Sequence, residues 1–163
     1  MKSLIVADTG PLVILAKIDR LHLLVQRYQT IRIPETVLLE ATTLAHRQDS
    51  QRIADFVAQH VQVVGDIAQD DTDYLDFGLD DGETQAILLA RQSRCPVLMD
   101  EKRGRAVAKR EHISVLGTVG LLLVAKQEGL VDAISPLLEQ MLAHDYRLAA
   151  GLVERARFMA GES

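Results

Sequence analysis

The sequence predicts an α/β fold, a three-layer α/β/α sandwich around a central, mainly parallel five-stranded sheet. Two apolar runs, Leu4-Ile5-Val6-Ala7 and Pro96-Val97-Leu98-Met99, are continuous rather than alternating, the pattern of strands buried on both faces. Ile31-Arg32-Ile33, Val61-Gln62-Val63-Val64 and Ser114-Val115-Leu116 are further strand candidates, and amphipathic helical patterns fill the intervals. Strand-helix alternation of this kind closes into a parallel sheet with right-handed crossovers and helices on both faces.

Helix punctuation follows the same order along the chain. Pro11 suits a first helical position, Asp19 and Asp49 suit caps, and Gly129 ends the helix that begins near Thr118. Ser135-Pro136 opens another helix. A last helix is expected from about Ala149 to Met159, with Gly161-Glu162-Ser163 frayed beyond it. Asp66 to Asp81, the most acidic and least regular stretch, reads as a short helix between solvated loops.

With 163 residues, 48% of them hydrophobic and 25% charged, the chain fits a single domain, 1–163, with helices from about residue 135 packed on it. A chain of this size buries roughly two thirds of the surface that its unfolded form exposes. The lone Cys95 forms no internal disulfide, and His22, His46, His60, His112 and His144 are too scattered for a zinc site. A reducing, cytoplasmic setting is the expectation. The opening apolar run meets Asp8 too soon for a signal peptide, and the longest apolar stretch, Val115 to Ala125, is too short for a membrane span. A net charge of -5 argues against a broad basic face for nucleic acid, but carboxylates that recruit divalent cations would reverse the local sign.

The chemistry is carried by acids. Asp8 and Asp100 follow the two buried strands, at the carboxyl edge where ligands of open parallel sheets bind. Capping alone accounts for either acid, but not for both strands ending in the same chemistry. Glu40 falls within the apolar stripe of Val37, Ala41 and Leu44. A carboxylate facing a core needs a basic partner, a proton or a metal. Glu83 shares the inner face of Ala86, Ile87 and Ala90, whereas Asp80 and Asp81 read as first-turn acids favoured by the helix dipole. Four carboxylates directed to one end of one sheet repel one another unless a cation sits among them, and oxygen-only ligation selects Mg²⁺ or Mn²⁺. Such a site suits hydrolysis of a phosphodiester.

Ile5-Val6-Ala7-Asp8-Thr9-Gly10-Pro11-Leu12, followed by Ile33-Pro34-Glu35-Thr36-Val37 leading to Glu40, resembles the opening of PIN-domain proteins. Asp81-Gly82-Glu83-Thr84-Gln85-Ala86-Ile87 and Val97-Leu98-Met99-Asp100-Glu101-Lys102-Arg103-Gly104-Arg105 resemble the third and fourth acidic motifs, and the likeness covers about residues 3 to 160. The chain is similar to VapC-type toxins, metal-dependent endoribonucleases that usually work as homodimers silenced by a cognate antitoxin. The resemblance implies Asp8, Glu40, Glu83 and Asp100 as catalytic metal ligands for Mg²⁺ or Mn²⁺, with Thr9 assisting beside Asp8. Two departures stand out: Glu83 where most PIN toxins have aspartate, and adjacent Asp100 and Glu101 without the serine or threonine that often precedes the fourth acid. Glu101 is therefore an alternative or additional ligand. Lys102, Arg103, Arg105, Lys109 and Arg110 read either as a solvated helix face or as phosphate-positioning groups for RNA.

Two other classes compete. A catalytically inactive PIN-like RNA-binding or scaffold protein would need no ligand set, and retention of all four acids favours the enzyme. A nucleotide-binding domain of the same architecture lacks its parts here, having no Gly-x-Gly-x-x-Gly fingerprint, phosphate loop or Asp-x-Asp after the first strand.

Overall fold

Ile5, Val6 and Ala7 have no solvent exposure, and the sheet is built outward from them. The computed structural model describes residues 2–68 and 78–162, without the side chains of Lys2 and Leu44. The elements run β1 (Lys2–Ala7), α1 (Thr9–Lys17), α2 (His22–Arg27), β2 (Tyr28–Pro34), α3 (Glu35–Leu44), α4 (Arg47–His60) and β3 (Val61–Val64). They continue as α5 (Asp81–Ser93), β4 (Val97–Leu98), α6 (Lys102–Arg110), β5 (Val115–Leu116), α7 (Thr118–Gln127), α8 (Ser135–Ala143) and α9 (Leu152–Met159). All five expected strands form, every pairing is parallel, and helices flank the sheet.

The strand order is β3-β2-β1-β4-β5. The chain moves one way from β1 to β2 and β3, then returns to β1's other edge for β4 and β5. The crevice at the carboxyl ends of β1 and β4 is therefore the switch point where an open α/β sheet places its ligand. Register makes this concrete, since Ala7 pairs with Leu98 and the Asp8 N–H donates to the Leu98 carbonyl at 3.0 Å. Val97, Leu98 and Met99 are also fully buried, each such side chain contributing about 1.5–3 kcal/mol. Rigid, buried strands thus present Asp8 and Asp100 side by side.

Several local expectations are corrected. α1 begins at Thr9, so Pro11 is its third residue. Asp19 does not cap a helix: it takes a left-handed φ of 57° just beyond α1, while Leu21 occupies the cap position of α2. Asp49 lies in the first turn of α4, whose cap position is His46. Gly129 takes the left-handed conformation just past α7, and α8 opens at Ser135 with Pro136 beside it, as the sequence indicated. The short helix expected between Asp66 and Asp81 falls largely on residues 69–77, outside the described residues.

The largest correction concerns the frayed end. Glu162 accepts from Lys126 Nζ at 2.8 Å, from the Ile134 N–H at 2.9 Å and from the Ser135 N–H at 2.8 Å. One carboxylate therefore ties the end of α9 to α7 and to the start of α8. These partners favour its ionised form and lower its pKa to about 2, the Ile134 N–H first and the Lys126 ammonium next.

Candidate active site

Asp8 stands in the cap position of α1, yet its side chain makes no capping hydrogen bond. It is 5% exposed, and its Oδ1 is buried without a hydrogen-bond partner among the described residues. A helix cap is thus not what this carboxylate does. Burial is the largest reason its pKa is raised to about 7, and the charges of Asp80, Glu40 and Asp100 push the same way against the Thr9 N–H.

Glu40 projects from α3 and is clamped at both oxygens. The Thr9 hydroxyl donates to Oε2 at 2.9 Å and the Gly82 N–H donates to Oε1 at 3.1 Å. Thr9 thus serves both acids, its hydroxyl donating to Glu40 while its N–H favours the charge of Asp8. Gly82 makes this approach feasible, because a Cβ there would lie 2.2 Å from Glu40 Oε2. Even so, burial raises the Glu40 carboxyl above its ordinary value, aided by Asp80 and Asp81.

Glu83 lies in the first turn of α5, where the Asp80 side chain accepts from its N–H at 2.7 Å. Its pKa is pushed up to about 8, by burial first and then by the charges of Asp80, Asp8 and Glu101. Asp100 has the opposite surroundings. The Thr118 N–H donates to its Oδ1 at 2.7 Å, the Thr118 hydroxyl to its Oδ2 at 2.6 Å, and the Tyr146 hydroxyl also to Oδ2. Tyr146 titrates well above the ordinary phenol range, through burial and then the Asp100 charge, and so stays a neutral donor.

Asp8, Thr9, Glu40, Asp80, Glu83, Asp100, Glu101, Tyr146 and Arg147 line one cavity of about 380 Å³. All four acids singled out from the sequence, and Glu101, are brought to it. Lys102 and Arg103 are not among its lining residues, and Arg105 lines an adjoining cavity that shares Asp100, Tyr146 and Arg147 with the first. Sequence reasoning missed three members. Asp80 does cap α5, as a first-turn reading suggests, but it also lines the cavity and repels its acids. Tyr146 and Arg147 come from the irregular link between α8 and α9, where no periodicity points toward the cleft.

The donor set is hard oxygen throughout, and the unpaired Asp8 Oδ1 leaves acceptor capacity facing mutually repelling carboxylates. These residues fit a divalent cation of the Mg²⁺ or Mn²⁺ class in chemistry. In geometry they ring a space rather than meet at a point: among the described residues, no group of three His, Cys, Asp or Glu side chains is close enough to hold a metal ion.

A PIN-domain family model matches residues 4–162. Among solved structures, the chain is similar to a PilT N-terminus domain protein from the hyperthermophilic archaeon Sulfolobus solfataricus, with 13% identity and a TM-score of 0.53 over 75% of this chain and 92% of that one. It also matches a domain of a functionally unknown protein from Methanocaldococcus jannaschii, with 19% identity and a TM-score of 0.44 over 72% of this chain and 91% of that one. No curated protein matches it. Among the described residues, no helix is long and apolar enough to cross a membrane.

Proposed function

This chain belongs to the PIN-domain family, a nuclease-type fold, and from that premise we propose that it is a metal-dependent endoribonuclease, the toxin of a toxin-antitoxin pair. The observation that carries the reading is the buried, unpartnered Asp8 Oδ1, set among carboxylates that already raise its pKa. A structural acid finds a donor, whereas this one faces the cavity that it shares with Glu40, Glu83 and Asp100.

In this reading Asp8, Glu40, Glu83 and Asp100 hold Mg²⁺ or Mn²⁺, with Glu101 at the rim as a further oxygen ligand. When bound, the cation supplies an acidified water and neutralises charge on the phosphate. The chain's own residues do the positioning. The pair Thr9 and Gly82 fixes the Glu40 carboxylate, and Thr118 with Tyr146 fixes that of Asp100, leaving Asp8 and Glu83 to adjust around the ligand. Asp80 holds the first turn of α5 and so the position of Glu83. Arg147 at the cavity wall, and Arg105 next to it, supply positive charge for the RNA backbone, the role expected of the basic run as a whole.

A homodimer and a cognate antitoxin are the partners in this reading. Exposed Leu142, Phe158 and Met159 on α8 and α9 support a protein contact, and an antitoxin arginine entering the acidic cavity would compete with metal for the same oxygens. Light scattering is expected to show a dimer; a monomer with full activity would remove that part.

A second reading, a PIN-domain RNA-binding or scaffold protein that does not cut, is favoured by the saturation of Glu40 and Asp100 with protein donors. Incubation with single-stranded RNA separates the two. The nuclease cleaves with Mn²⁺ and stops with EDTA, while the scaffold binds RNA and leaves it intact under both conditions.

A further inference from the structure

Beside the acidic cavity lies a second one of about 370 Å³, with a different chemistry. Its wall is mostly aliphatic, from Val119, Leu123, Leu148 and Leu152, and two guanidinium groups, Arg105 and Arg147, stand at it. Asp100, Tyr146 and Arg147 line both cavities, so the two are adjacent. Among the described residues, neither Arg105 nor Arg147 is paired with a carboxylate. In a chain of net charge -5, unpaired cations beside an acidic cleft are suited to an anionic occupant. The aliphatic wall behind them calls for an apolar or aromatic body on that same occupant.

We propose that this adjoining cavity is a nucleobase subsite, seating the base next to the scissile phosphate of a single-stranded RNA. The inference rests on the ribonuclease reading above and adds the form of the substrate. Tyr146 stands where the two cavities meet. Its hydroxyl is anchored to Asp100, which Thr118 in turn holds through two hydrogen bonds, so the ring is fixed between the cavities. A fixed aromatic face and planar guanidinium groups are what an unstacked base packs against. Arg105 and Arg147 would then meet the phosphates on either side of that base. A base within a duplex is already stacked and paired, so only a single strand, loop or bulge delivers one here. A basic protein segment would be repelled by the same two arginines.

Binding tests this apart from cleavage. Fluorescence anisotropy is measured for a heptaribonucleotide and for a series in which one abasic residue walks through its positions, using the Glu83→Gln chain to suppress turnover. One position is expected to stand out with a loss of about tenfold in affinity, the size of one lost base-stacking contact. Methyl resonances of Val119 and Leu123 should shift with the intact oligomer and stay in place with the abasic one at that position. Ala149→Phe, at an exposed residue of the cavity wall, should abolish the position dependence while leaving the melting temperature unchanged. Equal affinity across the abasic series, or unmoved methyls on addition of RNA, overturns the subsite and leaves the cavity to a protein segment. Base-dependent binding by a wild-type chain that cuts no RNA with Mn²⁺ would keep the subsite and discard the nuclease. Cleavage with a flat abasic series would do the reverse.

Discussion

Glu162 is a carboxylate surrounded by donors, with one ammonium and two backbone N–H groups on its two oxygens. Asp8 is a carboxylate set among acids, with a buried oxygen that no donor reaches among the described residues and three acidic neighbours that oppose the Thr9 N–H. The first is held down to about 2 and the second raised to about 7. The protein therefore has the means to satisfy a carboxylate, and uses them at the end of α9 but not at the end of β1. On the ribonuclease reading the unsatisfied acid is kept for a metal ion, and that contrast can be broken or sharpened from either side.

The largest effect should come from Asp8→Asn, which keeps shape and deletes charge. Single-turnover cleavage of single-stranded RNA should fall at least about a hundredfold, roughly 2.7 kcal/mol of transition-state stabilisation. The metal-free variant should melt no lower than the parent, because repulsion is relieved. Wild-type rates in this variant would end the metal-nuclease reading.

Glu162→Ala should do the opposite, leaving Lys126 and two helix-end N–H groups without their acceptor. A loss of about 2 kcal/mol in stability is expected by denaturant titration, with the Mn²⁺-induced rise in melting temperature retained. An unchanged stability would show that this end contributes little to the fold.

Gly82→Ala addresses the clamp on Glu40 alone. The added methyl must displace the Glu40 carboxylate, and about a tenfold loss of cleavage, roughly 1.4 kcal/mol, is expected from a carboxylate moved by less than its own width. Full activity with Glu40 displaced would remove Glu40 from the ligand set.

The smallest effect is a pH dependence of opposite sign in the two regions. Asp8 rises from 3.8 to about 7 and Glu83 from 4.5 to about 8, so the folded chain binds more protons than the unfolded chain between those limits. Metal-free stability should therefore fall as pH rises through that window, the two acids titrating as a pair because protonating one relieves the other. Glu162 contributes stability above its ordinary 4.5 that is lost as pH falls toward about 2. Thermal melts at about pH 5 and pH 8 read the first, and Mn²⁺ should flatten the difference. A flat metal-free profile would contradict the repulsion.

What the sequence made legible follows from how local each signal is. The runs ending at Ala7 and Met99 betray buried strands by composition alone, and the acids directly after them inherit the sheet's carboxyl edge. Glu40 and Glu83 were legible because helical periodicity places them on inner faces. Tyr146, Arg147 and Glu162 were not, because their roles depend on partners far away in sequence: Tyr146 on Asp100, Glu162 on Lys126 and Ile134. Asp80 was hidden differently, since capping explained it fully and nothing local signalled a second role. Lys102 and Arg103 are close in sequence to Asp100 yet lie outside the lining of its cavity, because α6 carries them away from the strand end.

The strand order carries a consequence for how the protein is made. β1 and its neighbour β2 are synthesised before β4, so the other edge of β1 waits for β4, and Asp100 waits for Tyr146. Glu162, which ties together the helices on either side of Tyr146, emerges later still. Because domains fold as their segments emerge from synthesis, the cleft cannot close while its later wall is still untranslated. On the ribonuclease reading, a growing chain carries Asp8 without being able to cut until Tyr146 and Glu162 have followed it, and so spares the message from which it is being read.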